Sequence, residues 1–143
     1  SLLFGIQWDL TLKFIEENEG ITKNQIVEDS TFLGNYQNSK FTIYKGRYSN
    51  NSGSSYTDVN SYYDIEHTGT GEYTLLTTGA TKRNSELNIF DLAGNLCEYT
   101  LEQSGQKNVI RGGTYTETGD SSSVSSRKTV SGTNITGFRV GLY

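Results

Sequence analysis

The sequence predicts an α+β domain, on three observations. Residues 6–18 repeat apolar side chains at helical spacing, and a second helix-start signal follows closely. After Phe32 the pattern shifts to short runs of alternating or β-branched residues separated by turn formers. The polar content is mostly Ser, Thr, Asn and Gly rather than charge, with ten Tyr and six Phe to supply a core. At 143 residues the chain makes one domain, residues 1–143.

Taken in order, Ile6, Leu10 and Phe14 fall at i, i+4 and i+8, flanked by Leu12 and Ile15, with charges opposite. They predict an amphipathic main helix with Trp8 as a core anchor and Gly20 as the C-terminal stop. Thr22-Lys23-Asn24-Gln25 matches a capping box and predicts a short second helix to about Asp29. Phe41-Thr42-Ile43-Tyr44 alternates as a strand. Residues 49–61 are rich in small polar residues and read as an exposed or mobile loop. Val109-Ile110-Arg111 and Phe138-Arg139-Val140 read as central strands, joined by the excursion at 114–137, in which half of the 24 residues are Ser or Thr. Gly112-Gly113 reads as a strand bend. Proline is absent, where average usage of about 5% would give about seven; we have no physical account of that.

Composition narrows the function. A net charge of −4 with no Lys/Arg run argues against a nucleic-acid partner. One cysteine forms no internal disulfide, and one histidine, His67, in a polar and expectedly exposed segment, gives neither a zinc cluster nor a catalytic triad. Glu16, Glu17 and Glu19 read as a solvated helix end. No signal peptide, membrane run or lipidation motif is present, and Ser1-Leu2-Leu3 reads as a start inside a longer protein, so any membrane link is expected through an upstream segment.

Three segments carry a resemblance: Asp91-Leu92-Ala93-Gly94-Asn95-Leu96-Cys97-Glu98, then Arg111-Gly112-Gly113-Thr114-Tyr115, then Gly137-Phe138-Arg139. In this order, and with Gln7-Trp8-Asp9 in the first helix, the chain resembles the formylglycine-generating-enzyme (sulfatase-modifying-factor) family. That family is a branch of the C-type-lectin-like fold. The resemblance implies a twisted, mostly antiparallel sheet with one main and one short helix, and an N-terminal part of the fold lying upstream of Ser1. More narrowly, Gly5-Ile6-Gln7-Trp8-Asp9 and Thr77-Thr78-Gly79-Ala80-Thr81 look like a group of bacterial surface proteins in which a pilin-like segment precedes a domain of this family.

The family's oxidase chemistry uses two cysteines shortly after Arg-Gly-Gly. At the corresponding places this chain has Glu117 and Ser122, which cannot serve as soft copper ligands or redox sulfur. The chain is therefore expected not to be an enzyme, a copper-dependent oxidase being the remote alternative. Cys97 is expected to be a buried small hydrophobe. By the same resemblance, Asp91, the carbonyls of Gly94 and Leu96, and Glu98 are the expected ligands of a structural Ca²⁺, a hard cation suited to oxygen donors. Without metal, Asp91 and Glu98 would bond backbone amides of the turn. Arg111, Arg127 and Arg139 match recurrent family arginines and are expected to satisfy carbonyls and carboxylates beneath the loops.

The 114–136 region has the Ser, Thr, Tyr and Asn palette of adaptable binding loops. It is similar in place to the variable region of retroelement-diversified receptor proteins. Tyr115, Thr116, Glu117, Asp120, Ser122, Ser123, Thr133 and Asn134 are the candidate ligand-binding residues. Thr116, Glu117, Asp120 and Ser122 are expected to be exposed, and Tyr115 is alternatively core. The function expected is non-catalytic binding of a protein or glycan, outside the cell on a bacterial surface. A pilin-like subunit that self-associates is the alternative.

Overall fold

The computed structural model describes residues 1–59, 65–69, 73–82, 85, 86, 88–130 and 136–141. Helix α1 (Gly5–Glu19) starts where the Gln7 side chain accepts from the Phe4 N–H at 2.8 Å, and ends at Gly20 with φ of 68°. Helix α2 (Lys23–Val27) starts on the expected capping box, Thr22 with Gln25, and stops two residues short of Asp29.

The buried face of α1 is not the one the spacing predicts. Trp8, Leu12 and Ile15 are buried, whereas Ile6, Leu10 and Phe14 are 65%, 61% and 51% exposed. At about 100° per residue the two sets lie on opposite sides of the helix, so both satisfy the apolar period. Tertiary bonding selects the Trp8 side. Its indole Nε1–H donates to the Val124 carbonyl at 3.0 Å, and the adjacent Asp9 reaches the buried Arg111. Trp8, Leu12, Ile15, Ile26, Tyr36, Leu92, Ala93 and Val124 form the main core.

Eleven short strands follow among the described residues: β1 (Phe41–Ile43), β2 (Arg47–Ser49), β3 (Thr57–Asp58), β4 (Ile65–His67), β5 (Leu75–Leu76), β6 (Ser85–Glu86), β7 (Ile89–Phe90), β8 (Glu98–Ser104), β9 (Lys107–Arg111), β10 (Lys128–Thr129) and β11 (Gly137–Phe138). They make four separate ladders rather than one sheet: β1-β4, β3-β2-β5, β6-β7 and β10-β9-β8-β11. All pairs are antiparallel except β8 with β11. The class is α+β as expected.

The 110 region is central as expected, with β9 between β8 and β10. The 138 region is a correction: β11 lies at the end of its sheet, with Phe138 70% and Val140 59% exposed. Only Arg139 turns inward, drawn by Glu98. His67 is a second correction. It is buried, its ring stacked on Phe41 at 4.5 Å and 3°, and its Nδ1–H donates to the Ser39 carbonyl at 2.7 Å. The β1-β4 register places Phe41 opposite His67, and such pairing is invisible to local polarity.

The loop expected at 49–61 is shorter: Ser49 ends β2, Thr57–Asp58 form β3 against it, and the connection between them is held by Asn51, whose Oδ1 accepts from Ser49 Oγ at 2.7 Å and from Ser55 N–H at 3.0 Å. Residues 60 and 61 of the predicted loop lie outside the described set.

The segment at 92–95 is the hub of the fold. Gly94 N–H donates to the Gly112 carbonyl at 2.6 Å, Asn95 N–H to Asn35 at 2.7 Å, and Tyr115 N–H to Asn95 at 3.0 Å. The Asn95 amide behaves as a borrowed piece of strand. Its Oδ1 accepts from Leu76 N–H at 2.9 Å while its Nδ2 donates to the Leu76 carbonyl at 3.1 Å. One turn thus ties together the loop after α2, β5 and the chain that leaves β9.

Candidate functional site

The site is built where β9 ends. Gly112 and Gly113 adopt φ of 93° and 71°, which bends the chain out of the sheet as the Gly pair predicts. The next residues close a turn, Glu117 N–H donating to the Thr114 carbonyl at 3.1 Å. Glu117 folds back over it, its Oε2 accepting from Thr114 N–H at 3.1 Å and from Thr114 Oγ1 at 3.2 Å. The Thr114 and Thr116 hydroxyls lie 3.0 Å apart. Strand β10 returns antiparallel to β9, setting Lys128 opposite Ile110, and Lys128 Nζ bonds directly to Glu117 Oε1.

These elements enclose a cleft of about 500 Å³. One part of its lining is polar, with Thr114, Thr116, Glu117, Ser122 and Lys128; Cys97, Ile110, Tyr115 and Val130 supply apolar surface. Burial alone would raise the Glu117 carboxyl, but Lys128, aided by the nearby Ser122 and Thr114 hydroxyls, outweighs it and holds the group below the usual carboxylate range. Glu117 is therefore ionised at neutral pH. Cys97 is buried, as expected, and burial pushes its thiol up to about 11, so it stays protonated.

Of the predicted ligand-binding residues, Tyr115, Thr116, Glu117 and Ser122 line this cleft. Asp120 is exposed and Ser123 buried, and neither lines it; Thr133 and Asn134 lie outside the described residues. The expected exposure holds for Thr116 and Asp120, while Glu117 is half-buried. It fails for Ser122, which is fully buried, its hydroxyl short of hydrogen-bond geometry with any partner. The cause is that residues 117–124 are stitched to the loop after α2. Gln37 N–H donates to the Glu117 carbonyl at 2.9 Å, Ser30 N–H to Gly119 at 3.0 Å, and Val124 N–H to Ser30 Oγ at 2.9 Å. Small side chains let that backbone pack closely. Lys128, Ile110 and Val130 were not predicted, because strand register rather than sequence proximity brings them in.

The predicted calcium ligands meet only in part. Asp91, Leu96 and Glu98 share a cavity of about 210 Å³ with Arg139, but Gly94 is not in its lining. Arg139 grips Glu98 through both oxygens, Nη2 to Oε1 at 2.7 Å and Nε to Oε2 at 3.1 Å. Asp91 Oδ2 accepts from Gly79 N–H at 3.1 Å. Burial raises the Glu98 carboxyl above its ordinary range, Arg139 opposing and the Asp91 charge adding to the rise. Two carboxylates facing one cavity suit a cation, and here a guanidinium already provides positive charge. Among the described residues no three His, Cys, Asp or Glu side chains gather as a metal site.

The other two arginines serve as expected. Arg111 Nη1 donates to Glu102 at 3.0 Å and Nη2 to Asp9 at 2.6 Å, beneath the Trp8 ring at 5.8 Å. Arg127 bonds the remaining oxygens of the same two carboxylates. No membrane-crossing helix occurs among the described residues. Protein-family models, curated proteins and solved structures give no match to this chain.

Proposed function

We propose that this is a non-catalytic ligand-binding domain of a bacterial surface protein, of C-type-lectin-like fold, whose recognition site is the cleft between residues 114–117 and β10. The carrying observation is the cleft itself, where an ionised Glu117 and Lys128 face apolar surface from Ile110 and Val130. A concave site with a few convergent polar groups is the usual form of a small-ligand pocket. An oxidase is disfavoured, since Glu117 and Ser122 carry no sulfur and the one thiol is buried and protonated. Exposed Thr116 on the cleft and exposed Asp120 outside its lining are the residues free to vary in a diversified receptor.

The test is a ligand screen by glycan and peptide arrays with the purified domain. Binding that Glu117→Ala and Thr116→Ala each weaken about tenfold or more is the expected result. Binding that survives both changes would move the site elsewhere.

One observation favours self-association as a second reading. Phe4, Ile6, Leu10 and Phe14 are all exposed, and the last three form a continuous apolar stripe on α1. Contiguous exposed apolar surface marks interaction sites, and a helix stripe of this kind can pair with its own copy about a twofold axis. Light scattering should then show a dimer that Leu10→Glu converts to a monomer. A wild-type monomer at high micromolar concentration would remove that role.

Calcium enters as a competitor of Arg139 for Asp91 and Glu98. If it binds, millimolar Ca²⁺ raises the melting temperature, and Asp91→Ala abolishes the rise. An unchanged melting curve from metal-free protein leaves Arg139 as the counter-charge of the turn.

A further inference from the structure

A second concave face shares no lining residue with the cleft, and strand β1 builds it. The period of two buries Phe41 and Ile43 and turns Thr42 outward, with Lys40 exposed before it and Tyr44 half-buried after it. The β1-β4 register sets Glu66 opposite Thr42. Tyr44 N–H donates to the Ala80 carbonyl at 3.2 Å, which brings Lys82 to the edge of the same face. Lys40, Thr42, Tyr44, Glu66 and Lys82 thus border a cavity of about 480 Å³.

Charge decides what this face can take. Lys45 Nζ lies 5.4 Å from the centre of the Tyr44 ring, and Lys82 Nζ lies 5.7 Å from it. The ring orders both side chains before a ligand arrives, which lowers the entropy that binding costs. Two ammonium groups at one ring repel each other, and neither has an ion-pair partner among the described residues. With Lys40, three ammonium groups stand against the one carboxylate of Glu66, an excess of two positive charges in a chain of net charge −4. A carboxylate brings a single negative charge and would leave half of that excess. So would a diester phosphate, the form found in a polymer backbone or a phospholipid headgroup. A phosphomonoester carries about −1.5 to −2 near neutral pH and matches the excess. Its terminal oxygens can accept from both ammonium groups and from the Thr42 hydroxyl.

We propose that this face, a site separate from the recognition cleft, binds the terminal phosphate of a phosphomonoester between Lys45 and Lys82 beside Tyr44.

The test is an amide-resolved NMR titration of the purified chain in phosphate-free buffer. The probes are glycerol phosphate, its diester glycerophosphoglycerol, and acetate. Glycerol phosphate should shift the amides of Thr42, Tyr44, Lys45 and Lys82 saturably, with Kd on the order of 1 mM. Raising sodium chloride from about 50 to about 300 mM should weaken it about fivefold. The diester and acetate should bind about tenfold more weakly than the monoester. Lys45→Gln and Lys82→Gln should each lower the affinity about fivefold. Both residues are exposed, so neither variant threatens the fold, and Lys107→Gln in the β8-β9 hairpin should leave the affinity unchanged. A diester or acetate bound as tightly as the monoester would overturn the phosphomonoester and keep the face as a general anion site. Unsaturable shifts, equal at Lys23 and Lys107, would reduce it to ordinary surface charge and overturn the site. Unchanged affinity in both glutamine variants, or no shift with any probe, would overturn it as well.

Discussion

Replacing Arg111 with leucine should lower the unfolding free energy by about 3–5 kcal/mol, a large share of the roughly 5–15 kcal/mol that an ordinary domain has. The Arg111 side chain is 0% exposed and carries two carboxylates, Asp9 from α1 and Glu102 from β8, at 36% and 24% exposure. Removing the guanidinium leaves both with only Arg127, and it opens a void beneath Trp8. Arg127 touches the same two carboxylates but is 49% exposed, so Arg127→Leu should cost about 0–1 kcal/mol. Urea unfolding of the two variants checks the contrast through the midpoint at constant slope. Equal losses would mean that burial of Arg111 does not set its worth.

Gly94→Ala should cost about 3 kcal/mol or more, for a reason unrelated to charge. Gly94 has φ of 66°, and a Cβ built there would lie 2.2 Å from the Asn35 carbonyl oxygen. That backbone cannot move aside cheaply, because the same carbonyl accepts from Asn95 N–H and Gly94 N–H donates to Gly112. Gly105 is the matched control. It has φ of 64° in the β8-β9 turn, with nothing within 4 Å of its built Cβ, so Gly105→Ala should cost only about 1 kcal/mol. The difference between the two in thermal or urea unfolding isolates the close approach at the hub. If both alanines cost the same, backbone strain alone accounts for the turn.

The contrast between these glycines shows where the sequence is legible. Local chemistry reads well: the Thr22 capping box, the Gly20 stop and the bend at Gly112-Gly113 all form as their residue types require. Register does not. His67 looks solvated until β1 pairs with β4 and sets Phe41 opposite it, and Lys128 joins the cleft because β10 aligns it with Ile110. The face of α1 was ambiguous for a related reason. Two apolar stripes satisfy one period, and the choice between them rests on Asp9 finding Arg111 about a hundred residues later. At the cleft, Tyr115, Thr116, Glu117 and Ser122 were legible as a polar run that follows a forced bend. Burial of Ser122 was not, since it depends on residues 117–124 lying against the 30–38 loop.

The two ends of the described chain are joined by an antiparallel contact. Leu2 bridges Val140, Leu3 N–H donates to Arg139, and Ser1 and Gly141 exchange two backbone hydrogen bonds. In such a pair Ser1 and Gly141 leave from the same end. A pulling force applied through these two residues would therefore load the bonds one after another, as a zip opens, rather than all together in shear. The seam beside β11 would part at low force and release the core in sequence.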